Sequence, residues 1–268
     1  MSVRQCLGAC VLTDADRYTT FAESVDAAAA VAFLNRYLEV LFQPVFDNGG
    51  FVADVKGDGM LAVWADLADA RELRARVCRA CVQMTAGAWR FEQSAPLRGF
   101  STRIGACFGP MALAQVGALA HYEYRAVGDT VNTSSRLQEL NKELGTRVLI
   151  SANLAEGLDE FLFRDLGAFQ LRGKRNGVHV LELIASREMA TERERALCAG
   201  FGAAAQAQRG GRWPEALIRL RELHARYPDD GPTRMALKAC EKILAPRPDR
   251  AQPRFPEADF AAAALRLG

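Results

Sequence analysis

No stretch of this 268-residue chain is apolar for the roughly 18 to 20 residues a helix needs to cross a bilayer. The longest candidate, Ala27 to Leu34, stops at Asn35 and Arg36. The start of the chain lacks the basic, apolar and small-residue succession of a signal peptide. An excess of charge is missing too: Lys and Arg total 34 against 32 Asp and Glu, a formal net charge of +2. Nucleic-acid binders show a clear basic excess, so that general footprint is absent. A local site for an acidic ligand needs only a few cations and stays open. Histidine is scarce at three residues, and His121, which precedes an aromatic cluster, is given no role. The seven cysteines are an odd number scattered through apolar contexts. Cys78 and Cys81 form a C-x-x-C, but no second pair and no His at finger spacing follow, which argues against a zinc or redox centre. Reduced thiols in a cytoplasmic protein are the better reading.

What is present is an ordinary globular composition, half hydrophobic and a quarter charged. Residues 6–13 (CLGACVLT) read as a short buried strand that ends at Asp14. Val25, Ala28, Val31, Leu34, Leu38 and Leu41 then recur at helical spacing within 21–46, and Gly49-Gly50 ends that pattern. FVADVKGDGMLAVW reads as two strands joined by a tight turn at 56–59. A helix over about 68–91, a strand at RIGACFG (103–109) and a helix over 127–145 follow, with strands near 147–151 and 178–184. The expected fold class is α/β in the broad sense (α+β), with helices on a mostly antiparallel sheet.

Composition shifts near residue 186. From there to about 245 the chain is rich in Ala, Arg, Leu and Glu and reads as helical. Ala216, Leu220, Leu223 and Pro228, with Trp213 just before them, carry the spacing of one tetratricopeptide helix pair. A single unit cannot bury its own apolar face, so it is expected to pack on the preceding domain. The organisation expected is a domain over 1–185, a helical extension over 186–245 and a tail over 246–268. That tail holds four prolines within 246–256 and reads as poorly ordered.

Two carboxylates stand at ends of apolar strands beside turns: Asp14 closes CVLT-D, and Asp58 sits at the tip of DVKGDG. Hard oxygen donors at such positions suit magnesium, which takes one or two carboxylates and the substrate's phosphates. Asp is also common in turns for conformational reasons, so either residue alone is weak support.

The segments VLTDADRYT, GGFVADVKGDGMLAVW, RIGACFGP and YEYRAVGDTVNTSSRL come in that order over about residues 5–185. Together they resemble the catalytic domain of class III nucleotide cyclases, the adenylate and guanylate cyclase family. The resemblance is nearest to bacterial members with a C-terminal helical extension, which often carry an N-terminal membrane-bound sensor. This chain begins a few residues before its first strand and is expected to be free-standing or an excised piece.

The resemblance implies a ferredoxin-like core working as a head-to-tail homodimer, each active site drawing residues from both chains. It implies that Asp14, Asp58 and the backbone carbonyl of Ala15 hold two Mg²⁺ or Mn²⁺ ions. One ion activates the ribose 3′-hydroxyl and the other neutralises the departing phosphates, as in other two-metal displacements. The turn carrying Arg17, Tyr18 and Thr19 would offer backbone N–H groups to phosphate. Asn132 and Arg136 match the family's transition-state pair, and their spacing puts both on one face of a helix. LRGKRNG (171–177) resembles a loop that brings a further cation to the phosphates, with Arg172 and Lys174 both candidates; a plain surface loop is the alternative.

The base-reading positions depart from the family. Asp54 and Arg125 stand where adenylate cyclases usually carry Lys with Thr, Ser or Asp, and guanylate cyclases Glu with Cys. Asp54 can accept from guanine N1–H and N2–H₂ while Arg125 donates to O6. The same pair can read adenine or uracil, or form a salt bridge that reads nothing. ATP and GTP are therefore both expected substrates, with a pyrimidine nucleotide cyclase or a catalytically inactive nucleotide-binding module as alternatives. Arg17 also replaces a residue that is usually Gly. Lys56, at the hairpin tip, reads as solvated, and the C-terminal helices as a possible site for a protein partner.

Overall fold

The computed structural model describes residues 3–65, 68–94, 100–118, 121–174 and 176–245, without the side chains of 117, 118 and 121–124. The 246–268 tail and the His121 side chain lie outside the described residues. The chain runs β1 (Val3–Asp16), α1 (Tyr18–Ser24), α2 (Ala27–Asp47), β2 (Phe51–Lys56), β3 (Gly59–Ala65) and α3 (Ala70–Ser94). It continues with β4 (Ser101–Ala118), β5 (His121–Val127), α4 (Asp129–Leu144), β6 (Val148–Ser151), α5 (Ala152–Ala155), β7 (Phe161–Phe169) and β8 (Val178–Ser186). Three helices end it: α6 (Glu192–Arg209), α7 (Trp213–Arg226) and α8 (Gly231–Leu244).

The strands form one sheet in the order β2-β3-β1-β4-β6-β8-β7, with β5 also paired to β4. Every pairing is antiparallel except that of β4 with β6. Side chains alternate across a strand, and β1 shows the consequence. Ala9 and Val11 pack with Phe33, Tyr37, Leu41, Leu73, Val77 and Met84 of α2 and α3. Cys10, one residue out of phase, faces the other side, where its carbonyl accepts from Ser134 Oγ of α4 at 2.9 Å. The sheet is thus covered on both faces. Each fully buried Leu, Phe or Met contributes roughly 1.5–3 kcal/mol over leaving it exposed.

Several boundaries differ from the sequence reading, each for a visible reason. The helix expected over 21–46 is two helices, because Asp26 is extended (φ −69, ψ 158) and caps α2 by accepting from Ala29 N–H at 2.9 Å. β4 runs through Gly109-Pro110, a dipeptide that reads as a breaker. Pro110 is tolerated because β6 pairs only with 104–106 and β5 only with 112–118, so nothing on that side needs its missing N–H. β7 went unread because its register shifts at Leu162/Phe163 and again at Asp165/Gly167, which breaks the period-2 pattern.

The extension is three helices rather than one pair. Trp213, Ala216, Leu220 and Leu223 are the buried positions of α7. They share one apolar cluster with Leu137, Leu140 and Leu144 of α4 and Leu149, Leu166 and Val180 of the sheet. No helix among the described residues is long and apolar enough to cross a membrane.

Candidate active site

β1 does not stop at Asp14 but stays paired to β4 through Asp16, whose partner is Ser101. Asp14 and Asp16 therefore project from a held strand, and the turn that follows is a single residue. Arg17 adopts the left-handed conformation (φ 65, ψ 10) and opens α1. This backbone explains a glycine at the position, since a non-glycine residue there costs roughly 1–2 kcal/mol. Arg17 and Thr19 are exposed, whereas the Tyr18 ring is partly buried and stacks on Phe33 with centroids 6.4 Å apart.

The β2–β3 hairpin carries Asp58 to this strand end. Gly59 permits the approach, because a Cβ there would fall inside contact distance of the Thr13 carbonyl oxygen. Thr13 Oγ1 in turn accepts from Met60 N–H at 3.1 Å. The result is a direct link: the Ala15 backbone N–H donates to Asp58 Oδ2 at 3.1 Å. Burial pushes the Asp58 carboxyl above its ordinary range, and the Asp14 charge adds to the rise. Asp14 has a counter-charge that sequence reasoning missed. Arg103 donates to Asp14 Oδ2 from Nη2 at 2.5 Å and from Nε at 3.2 Å, and lies 3.5 Å from Asp16. Arg103 opens RIGACFG, so the residue was in view; its role depended on the register that sets Asp14 opposite Arg103.

Two carboxylates and the Ala15 peptide, joined by one hydrogen bond, form a hard-oxygen donor set with more negative than positive charge about Asp58. That chemistry fits a divalent cation such as Mg²⁺ or Mn²⁺. Among the described residues no group of three or more His, Cys, Asp or Glu forms a fuller cage. Such a site leaves positions for water or phosphate oxygens.

Asp54 follows a bulge in β2 between Val52 and Asp54 and pairs with Lys56 at 3.5 Å. The Lys56 side chain is largely exposed, as expected of a hairpin tip. β2 comes into contact with β5, the strand of Arg125, and Phe51 and Ala53 pack on a cluster containing Ala126. Both base-reading candidates therefore stand on neighbouring strands. A cleft lined by Gln5, Leu7, Pro110, Met111, Val127 and Gly128 opens at the end of β5.

Asn132 and Arg136 are one turn apart on α4, Asn132 exposed and Arg136 paired with Glu139 at 2.6 Å. The start of α4 hangs from β4 by Thr130 Oγ1, which donates to the Pro110 carbonyl at 2.8 Å. From there α4 runs back over β4, and Asn141 Nδ2 donates to the carbonyl of Ile104, the residue after Arg103. Of the two loop cations, Lys174 pairs with Asp129 in the first turn of α4, while Arg172 is exposed. Asp129 is a second residue the sequence did not flag. The cysteines all carry free thiols. Burial pushes Cys10 and Cys81 up to about 12, which leaves both as unreactive core residues.

A family model described as the adenylate and guanylate cyclase catalytic domain matches residues 7–183. Adenylate cyclase 1 of Rhizobium meliloti is 34% identical over 178 residues, covering 65% of this chain and 27% of that protein. Adenylate cyclase 2 of the same organism is 31% identical over 180 residues, covering 62% of this chain and 47% of that protein. The chain thus spans less than half the length of these curated relatives. In fold, it is similar to the adenylyl cyclase CyaB from P. aeruginosa, with a TM-score of 0.62 at 20% identity over 71% of this chain and all of that one. The guanylyl cyclase Cya2 gives 0.62 at 20% identity over 71% of this chain and 98% of that one. With this family model matching two thirds of its length, the chain belongs to the adenylate and guanylate cyclase catalytic domain family.

Proposed function

We propose that this chain cyclises a nucleoside triphosphate, releasing pyrophosphate, at a site shared between two copies arranged head to tail. The 3′-oxygen of the ribose bonds to the α-phosphorus, the bond from that phosphorus to the bridging oxygen of the β-phosphate breaks to release pyrophosphate, and the hydroxyl proton passes to solvent water. Asp14, Asp58 and the Ala15 carbonyl would hold the divalent ions. Bound there, Mg²⁺ or Mn²⁺ supplies positive charge to the attacking oxygen and to the departing phosphates.

The observation that carries the reading is that the two half-sites are engaged separately: Asp14 is bonded to Arg103 and Asp58 to the Ala15 N–H, while on α4 Asn132 is exposed and Arg136 pairs with Glu139. One copy offers the aspartates and the entry of α1, with Arg17, Tyr18 and Thr19 at the phosphates. Its partner offers Asn132 to orient the ribose, Arg136 to meet charge growing on the α-phosphate, and Arg172 or Lys174 for the outer phosphates. Leu7, Val3 and Val127 are exposed large apolar residues, Leu7 and Val127 lining the cleft at the end of β5, and suit coverage by a second copy.

Asp54 and Arg125 read the base in this scheme. Their donors and acceptors complement guanine, adenine and uracil alike, so product identification assigns the base. Purified protein with Mn²⁺ or Mg²⁺ is incubated with ATP, GTP, CTP and UTP separately. At least one should yield the 3′,5′-cyclic nucleotide and pyrophosphate, and Asp58→Ala should abolish the release. Release that survives Asp58→Ala contradicts the assignment, and tight binding without turnover of any of the four favours an inactive nucleotide-binding module.

A further inference from the structure

The C-terminal helices pack on α4 and the sheet, and α8 makes a close backbone approach to the end of α4. Gly231, the first residue of α8, lies against Leu144, the last residue of α4. A Cβ on Gly231 would fall inside the Leu144 carbonyl oxygen and within contact of the carbonyl carbon. The negative C-terminal end of α4 thereby meets the positive N-terminal end of α8, a favourable alignment of helix dipoles. Only glycine allows it.

The junction is clamped by a buried arginine. Arg164 of β7 donates from Nε to Glu182 of β8 at 2.8 Å, and from Nη1 to both carboxylate oxygens of Asp230 at 2.9 Å. Its guanidinium stands over the Phe201 ring of α6 at 5.2 Å. Asp230 also caps α8, accepting from Thr233 N–H at 2.9 Å. One side chain therefore ties two strands, α6 and the start of α8 together. A guanidinium at 2% exposure with two carboxylate partners is costly to leave half-paired.

The same end of α4 is fixed to the sheet as well. Asn141 Nδ2 donates to the Ile104 carbonyl at 2.9 Å, and Thr146 Oγ1 donates to Asn141 Oδ1 at 2.8 Å. Helix α4 is packed so tightly that displacement of one end is transmitted along its length as a rigid element. It carries Asn132 and Arg136, and its first turn holds Lys174 through Asp129.

We propose that α6–α8 brace the catalytic helix, with Gly231, Asp230 and Arg164 acting as positioning residues for Asn132 and Arg136. The proposal rests on the reading of those two residues given under Proposed function. The brace sets the placement of groups that act on the reacting phosphate, and leaves the metal aspartates and the base pair alone. Its loss should therefore lower kcat at little change in KM.

The full chain is compared with three variants. Gly231→Ala forces α8 off the end of α4. Asp230→Asn keeps a good cap but removes the charge facing Arg164. Leu41→Ala opens a cavity beneath α2, in the apolar cluster that holds no residue of α4, and serves as a control matched for loss of Tm. Hydrogen exchange in α4 is measured on each, alongside kcat and KM. The brace predicts faster exchange over 136–144 in Gly231→Ala and Asp230→Asn than in the control. It also predicts kcat reduced roughly tenfold in those two, the scale expected when catalytic groups shift by about an ångström or less. Equal α4 protection in all three variants, or unchanged kcat in folded Gly231→Ala and Asp230→Asn, overturns the brace. A wild-type chain inactive on all four triphosphates overturns the catalytic reading instead, and the exchange comparison still decides whether α8 holds α4.

Discussion

The backbone N–H of Ala15 donates to the carboxylate of Asp58 across the end of β1. That bond joins two segments 43 residues apart and brings the hairpin-tip Asp58 to the strand that carries Asp14. Burial, with the Asp14 charge adding to it, raises the proton affinity of Asp58, and this bond opposes part of the rise. A cation at this position relieves that arrangement.

The raised Asp58 pKa gives a pH dependence with a definite sign. Its folded value lies above its unfolded one, so metal-free protein is favoured while Asp58 is protonated, and loses that contribution as pH rises through the raised pKa. Protons compete with metal over the same window, just above the ordinary carboxylate range. Mn²⁺ affinity, measured by titration without nucleotide, should rise with pH there and level off above it. In Asp58→Asn the rise should be lost.

Arg103 supplies the counter-charge that Asp14 has without metal. In Arg103→Gln the two carboxylates face each other with less relief, so metal should stabilise the variant more than it does wild type. Thermal unfolding with and without Mg²⁺ checks this: the rise in Tm should be larger for Arg103→Gln. Equal rises would show that Arg103 does not share Asp14 with the ion.

Gly59→Ala tests how the hairpin delivers Asp58. The added methyl meets the Thr13 carbonyl, so the turn must shift, at a cost of about 1–3 kcal/mol for overpacking. Denaturant unfolding should show that loss, with cyclisation falling much further than stability alone explains. Full activity in a destabilised Gly59→Ala protein would contradict the positioning.

Cys78 and Cys81 are buried on α3, and burial raises both thiols. Together with Cys10 they should resist a thiol-specific reagent in the native protein and react on unfolding. Rapid native labelling of the C-x-x-C would reopen a redox role.

Much of this was legible in the sequence because it is local. The KGDG turn, the helix from Asp129 to the Gly145 cap, and the i, i+4 spacing of Asn132 and Arg136 need only near neighbours. What escaped depends on pairing between distant segments. Arg103 meets Asp14 only through the β1–β4 register, and Asp129 meets Lys174 only once the β7–β8 loop is placed. The bulges in β7 hid a strand, and Asp26 divided a pattern that looked like one helix. The Arg164 clamp could not be foreseen, since its partners lie 18 and 66 residues away.

The central claim is that two copies share each site, one giving the aspartates and the other Asn132 with Arg136. Its most direct measurement mixes two separately inactive variants, Asp58→Ala and Asn132→Ala, unfolds and refolds them together, and assays pyrophosphate release. Head-to-tail sharing places both lesions in one site of each mixed dimer and leaves the other intact. With random pairing the mixture should regain about a quarter of wild-type activity. A mixture as inactive as its components, with mixed dimers verified, would contradict the shared site.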